Sequence, residues 1–510
     1  MLRARAAALR RYSTTNAKLF SDFKNPDLIK TLGYVNGKWV PGSGNQTFQV
    51  NNPAIFPQEL AFLAQVADLS HTDLDSAIVS AASSFQTFKK STGRHRSELL
   101  LNLYELMRLN ENDLARLIVL ENGKPFADAI GEVRYSASFL QWFSEEAPRI
   151  YGDVINSANP TNRIITLKQP IGVCGIITPW NFPSAMITRK LGAAIAAGCT
   201  TVIKPASETP LSALALAHLA EQAGFPAGVV NVIPSSDNVG SGKMITEHPL
   251  VLKVSFTGST AVGKILMNQS ASTLKKLSME LGGNAPFIVF EDADIEKAAA
   301  GAIAAKFRSS GQTCVCANRI FVHESVYDKF VAAFCKLVKE KTRLGNGLTE
   351  GVTHGPLIHQ KSMHKVRSHI EDAKNKGAKV LLGGNKSNLG ENFHELTVLG
   401  DVTTEMDVAN EETFGPVAPI FRFADEQDVI RISNLPEVGL AGYFFSNDIR
   451  RIFRVAEELH VGMIGVNTGA ISEAALPFGG VGESGFGREG SKYGIDDYLV
   501  VKSLVLGGIE

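Results

Sequence analysis

Short apolar runs alternate with stretches of helical period along most of the chain. IGVCGII (171–177), TTVIKP (200–205), VVNVIP (229–234) and VLKVSF (251–256) are continuous apolar segments, followed or separated by turn residues. They predict strands of parallel βαβ units covered on both faces. SAMITRKLGAAIAA, LSALALAHLAEQAG (stopping at Gly224) and FTGSTAVGKILMNQS read as the intervening turns and helices. A second α/β series starts near PFIVF (286–290). It continues through ADIEKAAAGAIAAKF (helix), RIFVH (strand) and SVYDKFVAAFCKLVKEK (helix), with KVLLGG, APIFRF and GMIGVNT as further strands. Upstream, Leu99, Leu103, Leu106, Leu114 and Leu117 predict an amphipathic helix pair or one long helix. RIITLKQ (163–169) and VVKSLVLGG (500–508) read as protruding β arms that fit a small interaction element.

Composition narrows the class. The chain has 510 residues, 44% hydrophobic and 20% charged, which is the mix of an ordinary folded protein. Lys plus Arg and Asp plus Glu both number 51, so there is no electrostatic reason to expect nucleic acid or an anionic membrane as partner. Five cysteines make no disulfide framework; they suggest reduced thiols or one kept for reactivity. Gln169 to Thr188 is free of charge, but Pro170, Pro179 and Pro183 rule out one continuous membrane helix. The N-terminus carries Arg3, Arg5, Arg10 and Arg11 with no acid before Asp22. That composition suggests a mitochondrial transit peptide, the alternative being a basic tail of a cytoplasmic protein.

Several segments carry candidate chemistry. In FTGSTAVG, Gly258 and Gly263 flank a strand-to-helix turn with Ser259 beside the first; its N–H groups could hold a pyrophosphate, or it is simply a turn. Lys204 ends a strand, where open α/β sheets bind ligands, although a solvated surface lysine is the plainer reading. Cys314, in GQTCVCANR, is expected in a loop entering a helix, whose N-terminus would lower the thiol pKa and favour a nucleophile; the alternative is a buried inert thiol. Cys316 follows two residues later, but a CxC pair is too short for a tetrahedral metal site and no metal is expected. Glu280, in SMELGGNAPF, is a carboxylate in an apolar segment: a general base or half of a buried ion pair.

PWNFP (179–183), KPASETP (204–210), FTGST (256–260), MELGG (279–283), GQTC (311–314), EETFGP (411–416) and PFGG (477–480) occur together in this order. From about residue 31 to the C-terminus the chain thereby resembles the aldehyde dehydrogenase superfamily. PSAMITRKLGAA, ELGGNAPFIVF, GQTCVCANR and GREGSKYGIDDYL are similar to its succinate-semialdehyde dehydrogenase subgroup. The resemblance implies two doubly wound, Rossmann-like parallel-sheet domains and a small β oligomerisation arm. It divides the chain into a transit peptide or tail (1–30), a dinucleotide-binding domain (31–150 and 171–285), a catalytic domain (286–482) and an oligomerisation element (151–170 and 483–510).

For the chemistry, the resemblance implies Cys314 as the nucleophile, Asn181 with the Cys314 N–H as oxyanion donors, and Glu280 as the base that activates water. Lys190 and Glu489 would support proton movement. Lys204, Ser207, Gly258, Ser259 and Gly263 would serve the adenosine and pyrophosphate, and Trp180, Leu281, Glu412 and Phe414 the rest of the cofactor. Strict NAD users carry a glutamate where this chain has Ser207, with Glu208 displaced by one, so NADP is expected to be accepted as well as NAD. Arg189, Arg308 and Ser472 would hold the distal carboxylate of succinic semialdehyde, unless the arginines pair with core acids. Cys316 would be a redox partner for Cys314 or a packing residue. Other readings are a different acid-semialdehyde or broad-range dehydrogenase, or a catalytically silent member. The resemblance further implies 4-aminobutyrate degradation, a homodimer or homotetramer, and the mitochondrial matrix.

Overall fold

A computed structural model describes Thr15–Ile509. Its first large sheet runs Lys38–Val40, Gly33–Val35, Val230–Val232, Thr200–Lys204, Val173–Ile177, Val251–Thr257, Lys276–Glu280, Gly485–Phe486. The five middle strands are parallel. In chain order they stand 3-2-1-4-5, so the order reverses between Val173–Ile177 and Val251–Thr257, the switch point where doubly wound sheets open a crevice. The second sheet runs Lys379–Leu382, Thr397–Gly400, Val417–Phe423, Ala317–His323, Ala285–Val289, Ala441–Phe445, Met463–Val466. Its five strands from Val417–Phe423 onward repeat the 3-2-1-4-5 order, all parallel.

The predicted two-faced burial explains both sheets. Val202 packs into one core and Ile203 into the core on the opposite face. Phe287 and Val289 likewise face one side of the second sheet, and Ile288 the other. Burying each such side chain contributes roughly 1.5–3 kcal/mol. The Leu-rich region forms two helices, Gly93–Leu109 and Glu111–Asn122, the second ending on left-handed Gly123. Between the first two parallel strands, Ala185–Ala197 is buried all round and stops at left-handed Gly198. Every described helix is too short or too polar to cross a membrane.

Leu499–Leu506 pairs antiparallel with Arg163–Pro170, which pairs with Val154–Asn156, making the separate three-stranded sheet expected of the arm. Two boundaries differ from the sequence reading. Gly485–Phe486, assigned with the arm, instead pairs with Met279 and Glu280 in the first sheet. The Arg-rich residues 1–14 lie outside the described residues, but Phe20, Phe23 and Leu28, assigned to the tail, are buried in the first core. They are apolar enough to repay packing there, so the folded unit begins before residue 31.

Candidate active site

The cleft forms where the carboxyl edge of the first sheet meets the amino edge of the second. Three connections leave the first edge: 178–184, 258–259 and 281–284. Two loops enter strands of the second: 308–316 and 411–416. Between them is a cavity of about 450 Å³ lined by Trp180, Gly258, Ser259, Leu281, Glu412 and Phe414, together with Cys314. Cys314 also lines a second, tight chamber of about 20 Å³ with Arg189, Arg308, Ser472, Phe182 and Phe478. Arg308 and Ser472 in turn border an outer vestibule of about 380 Å³. The sulfur therefore stands between a long cleft and a cation-walled chamber.

The loop that carries Cys314 differs from the sequence expectation. Cys314 precedes the strand Ala317–His323, not a helix, so no helix N-terminus acidifies it. Burial pushes its thiol up to about 12, Arg189 opposing and Glu412 and Glu280 adding to the rise. Three consecutive left-handed residues, Ser309 (φ 50°), Ser310 (φ 55°) and Gly311 (φ 77°), shape the approach. Ser310 Oγ donates to Gly355 O at 2.7 Å. A Cβ on Gly311 would lie 2.1 Å from Gly415 O, so the loop rests directly on the EETFGP segment. There Phe414 is itself left-handed (φ 52°), and its ring meets Trp180 edge-on at 5.6 Å.

Asn181 Oδ1 accepts from Phe182 N (3.1 Å) and its Nδ2 donates to Gln312 O (3.1 Å), leaving one amide hydrogen for another acceptor. Glu280 ends its strand at 2% exposure, and neither carboxylate oxygen has a hydrogen-bond partner among the described residues. Burial and then Glu489 raise it well above the usual carboxylate range. Glu489 pairs with both Arg189 and Lys190. Burial alone would raise Glu489, but these two cations outweigh it and hold the group below its ordinary value. Lys190 Nζ also donates to Thr257 Oγ1 (2.6 Å). Arg189 thus combines the two sequence readings: it lines the chamber and pairs with a core acid. Arg308 has no ion pair among the described residues and stacks over Phe182 at 5.0 Å.

Farther along the first edge, Lys204 is buried rather than solvated. Its Nζ donates to Pro205 O (3.1 Å) and to Asn238 Oδ1. Burial lowers it to about 8, against the pull of Glu208, Asp237 and Asp68. Ser207 Oγ donates to Glu208 Oε2 (3.2 Å) and accepts from Asn238 Nδ2 (3.4 Å). Gly263 is not in the cleft: a Cβ there would lie 2.4 Å from Leu281 Cδ2, so its smallness lets the helix Thr260–Ser270 pack under Leu281. Cys316 is buried below the loop, its N–H on Thr313 O at 3.0 Å. The sequence reading missed His359, Ser362 and Lys365, which line the cleft from the start of the helix Gln360–Asn375. An amphipathic surface helix carries no local sign of such a role.

A half-buried thiol, an unpartnered carboxylate and an edge rich in N–H donors fit a dinucleotide-dependent oxidoreductase. The chain belongs to the aldehyde dehydrogenase family, whose model matches residues 39–504. It is 55% identical, over 97% of its length and 99% of the relative's, to succinate-semialdehyde dehydrogenase [NADP(+)] 1 of Schizosaccharomyces pombe. It is 51% identical to a 3-sulfolactaldehyde dehydrogenase of Pseudomonas putida, over 96% of this chain and 99% of that one. Among solved structures, a succinate-semialdehyde dehydrogenase from Burkholderia pseudomallei superposes with a TM-score of 0.93 at 50% identity, covering 95% of this chain and 100% of that one.

The cleft fits the family's cofactor, NAD(P). Ser259 caps the helix Thr260–Ser270, accepting from Val262 N, so the helix presents its N-terminal donors at the switch point. Lys204 and Ser207, joined through Asn238, could meet a ribose or its 2′-phosphate, and Glu412 and Phe414 line the cleft itself.

Proposed function

We propose that the protein oxidises succinic semialdehyde to succinate with NADP or NAD, as a step of 4-aminobutyrate degradation. The observation that carries this reading is one chamber shared by Cys314, Arg189, Arg308 and Ser472. A C4 semialdehyde has its carboxylate at one end and its carbonyl at the other, so cations across a tight chamber from a thiol select it.

When bound, the nicotinamide ring supplies the hydride acceptor. The protein's residues do the rest. Cys314 attacks the carbonyl carbon after its proton, which burial otherwise holds on the sulfur, passes to water in the cleft it lines. Asn181 Nδ2 and the Cys314 N–H receive the charge that develops on oxygen. Loss of hydride leaves a thioester on Cys314. Glu280, unpartnered and with a raised proton affinity, takes a proton from water as it attacks this thioester. Lys190 and Glu489, already paired behind it, move that proton away.

Truncating Arg308 tests the substrate assignment. Charge-assisted hydrogen bonds contribute about 1.5–3 kcal/mol, so Arg308→Ala is expected to raise KM for succinic semialdehyde about 10- to 100-fold while sparing butanal. Equal losses on both aldehydes would contradict the assignment. The similarity to a 3-sulfolactaldehyde dehydrogenase supports a second reading, another anionic aldehyde in the same chamber.

Ser207 in place of a glutamate supports acceptance of NADP; rates at matched concentrations of NAD and NADP check it. Exposed Val500, Val501, Leu504 and Val505 on the arm support assembly into a dimer or tetramer. The Arg-rich N-terminus supports import into the mitochondrial matrix, and Cys316 beside Cys314 supports reversible oxidation of the pair.

A further inference from the structure

The turn that carries Asn181 has little regular structure of its own, yet its donor must stay aimed at a developing charge. Three side chains from segment 122–132 hold its backbone. Asn122 Nδ2 donates to Trp180 O at 3.0 Å. Lys124 Nζ donates to Asn181 O at 2.8 Å and to Glu132 Oε2 at 2.6 Å. Glu132 Oε1 accepts from Ser184 N at 2.9 Å and Ala185 N at 3.4 Å, supplying the cap that the helix Ala185–Ala197 does not get from Ser184. The same ammonium lies 3.8 Å from the ring centroid of Phe182, a wall of the aldehyde chamber.

The grip has a fixed origin. Gly123 is left-handed, and a Cβ there would lie 2.8 Å from Pro356 Cγ and 2.9 Å from Pro53 Cγ. Lys124 therefore enters the turn from a point locked by two prolines. Its side chain and that of Glu132 are 1% and 0% exposed. A buried ion pair is weak grounds for stability, because desolvation offsets the attraction; apolar residues would fill this space as well. What apolar residues would not do is satisfy the Asn181 carbonyl and the Ser184 and Ala185 N–H groups together.

We propose that Lys124 and Glu132 are positioning residues that fix the backbone of the Asn181 turn and so aim its side-chain amide at the reacting carbonyl. Neither touches the reacting atoms. The inference rests on the oxyanion role proposed above for Asn181, and a double-mutant cycle separates the two.

Asn181→Ala is expected to lower kcat about 10²- to 10³-fold, the usual cost of an oxyanion donor. Lys124→Met is expected to lower it about 10- to 100-fold through misplacement of the amide, with KM within about threefold. The double variant is expected to fall no further than Asn181→Ala alone, since nothing remains to be aimed. Losses that multiply would overturn the positioning role and leave the oxyanion role standing. Asn181→Ala within about threefold of the parent would overturn both. If circular dichroism shows Lys124→Met unfolded, Glu132→Gln takes its place in the cycle. It keeps an acceptor for the Ser184 and Ala185 N–H groups, removes the charge facing Lys124, and is expected to cost about tenfold, again without adding to Asn181→Ala.

Discussion

The two large sheets share a strand order and present opposite edges to the cleft. The first offers its carboxyl edge, where a strand turns into a helix and backbone N–H groups point outward. That edge suits an anion. The second offers its amino edge, where loops run into strands and no helix begins behind the sulfur. That edge leaves Cys314 half-buried without a helix field, and desolvation pushes its thiol up, not down. The same five-strand order thus yields one edge with an outward helix N-terminus and another where the thiol holds its proton. The difference lies in which end of the strands the loops leave from.

Removing the sulfur separates the two edges most sharply. Cys314→Ala is expected to lower turnover by about 10⁴-fold or more, as loss of a covalent nucleophile does. Dinucleotide affinity is expected to change less than about threefold, because Lys204 and the helix N-terminus at Ser259 belong to the other sheet. Comparable losses in both, by steady-state kinetics and fluorescence titration, would break the division of labour.

A smaller effect is expected from Gly311→Ala. The added Cβ meets Gly415 O at 2.1 Å in a backbone with φ 77°. Strain of this kind costs about 1–3 kcal/mol, and the clash with backbone adds to it. Gly258→Ala on the opposite edge meets only the far end of the Phe256 ring, at 2.3 Å, and is expected to cost less. Thermal unfolding of the two variants checks the order; equal shifts would show that the nucleophile loop is not the more constrained.

The smallest effect concerns pH. Lys204 is lowered to about 8 by burial, so its cation is present below that pH and is lost as pH rises through it. NADP affinity is therefore expected to weaken roughly three- to tenfold between about pH 7 and 9, and NAD affinity less. Titrations at several pH values test this; a flat NADP profile would detach Lys204 from the 2′-phosphate.

The contrast between edges also explains what was legible in the sequence. Apolar strand runs reported both sheets, since two-faced burial demands them wherever the sheet lies. Lys204 and Ser259 could be singled out because a strand's carboxyl end is a local signal, although the plainer reading of Lys204 as a solvated lysine missed its burial. Cys314 was readable as chemistry but not as geometry: GQTCVCANR enters a strand, and nothing local to it distinguishes that from a helix start. Gly263 was assigned to a phosphate because a glycine near a turn looks alike whether it meets a ligand or Leu281. Lys124, Glu132 and Lys365 were invisible, because the turn and the cleft they serve lie far away in sequence.

We propose that one sulfur, standing between cleft and chamber, carries the substrate through a covalent stage that Glu280 ends. Mass spectrometry of the Glu280→Gln variant, mixed with succinic semialdehyde and NADP and quenched, tests it directly. One burst of NADPH is expected, equal to the enzyme present, with a succinyl group on the peptide containing Cys314 that persists because water is no longer activated. Unmodified Cys314 after that burst, or turnover as fast as the parent's, would contradict it.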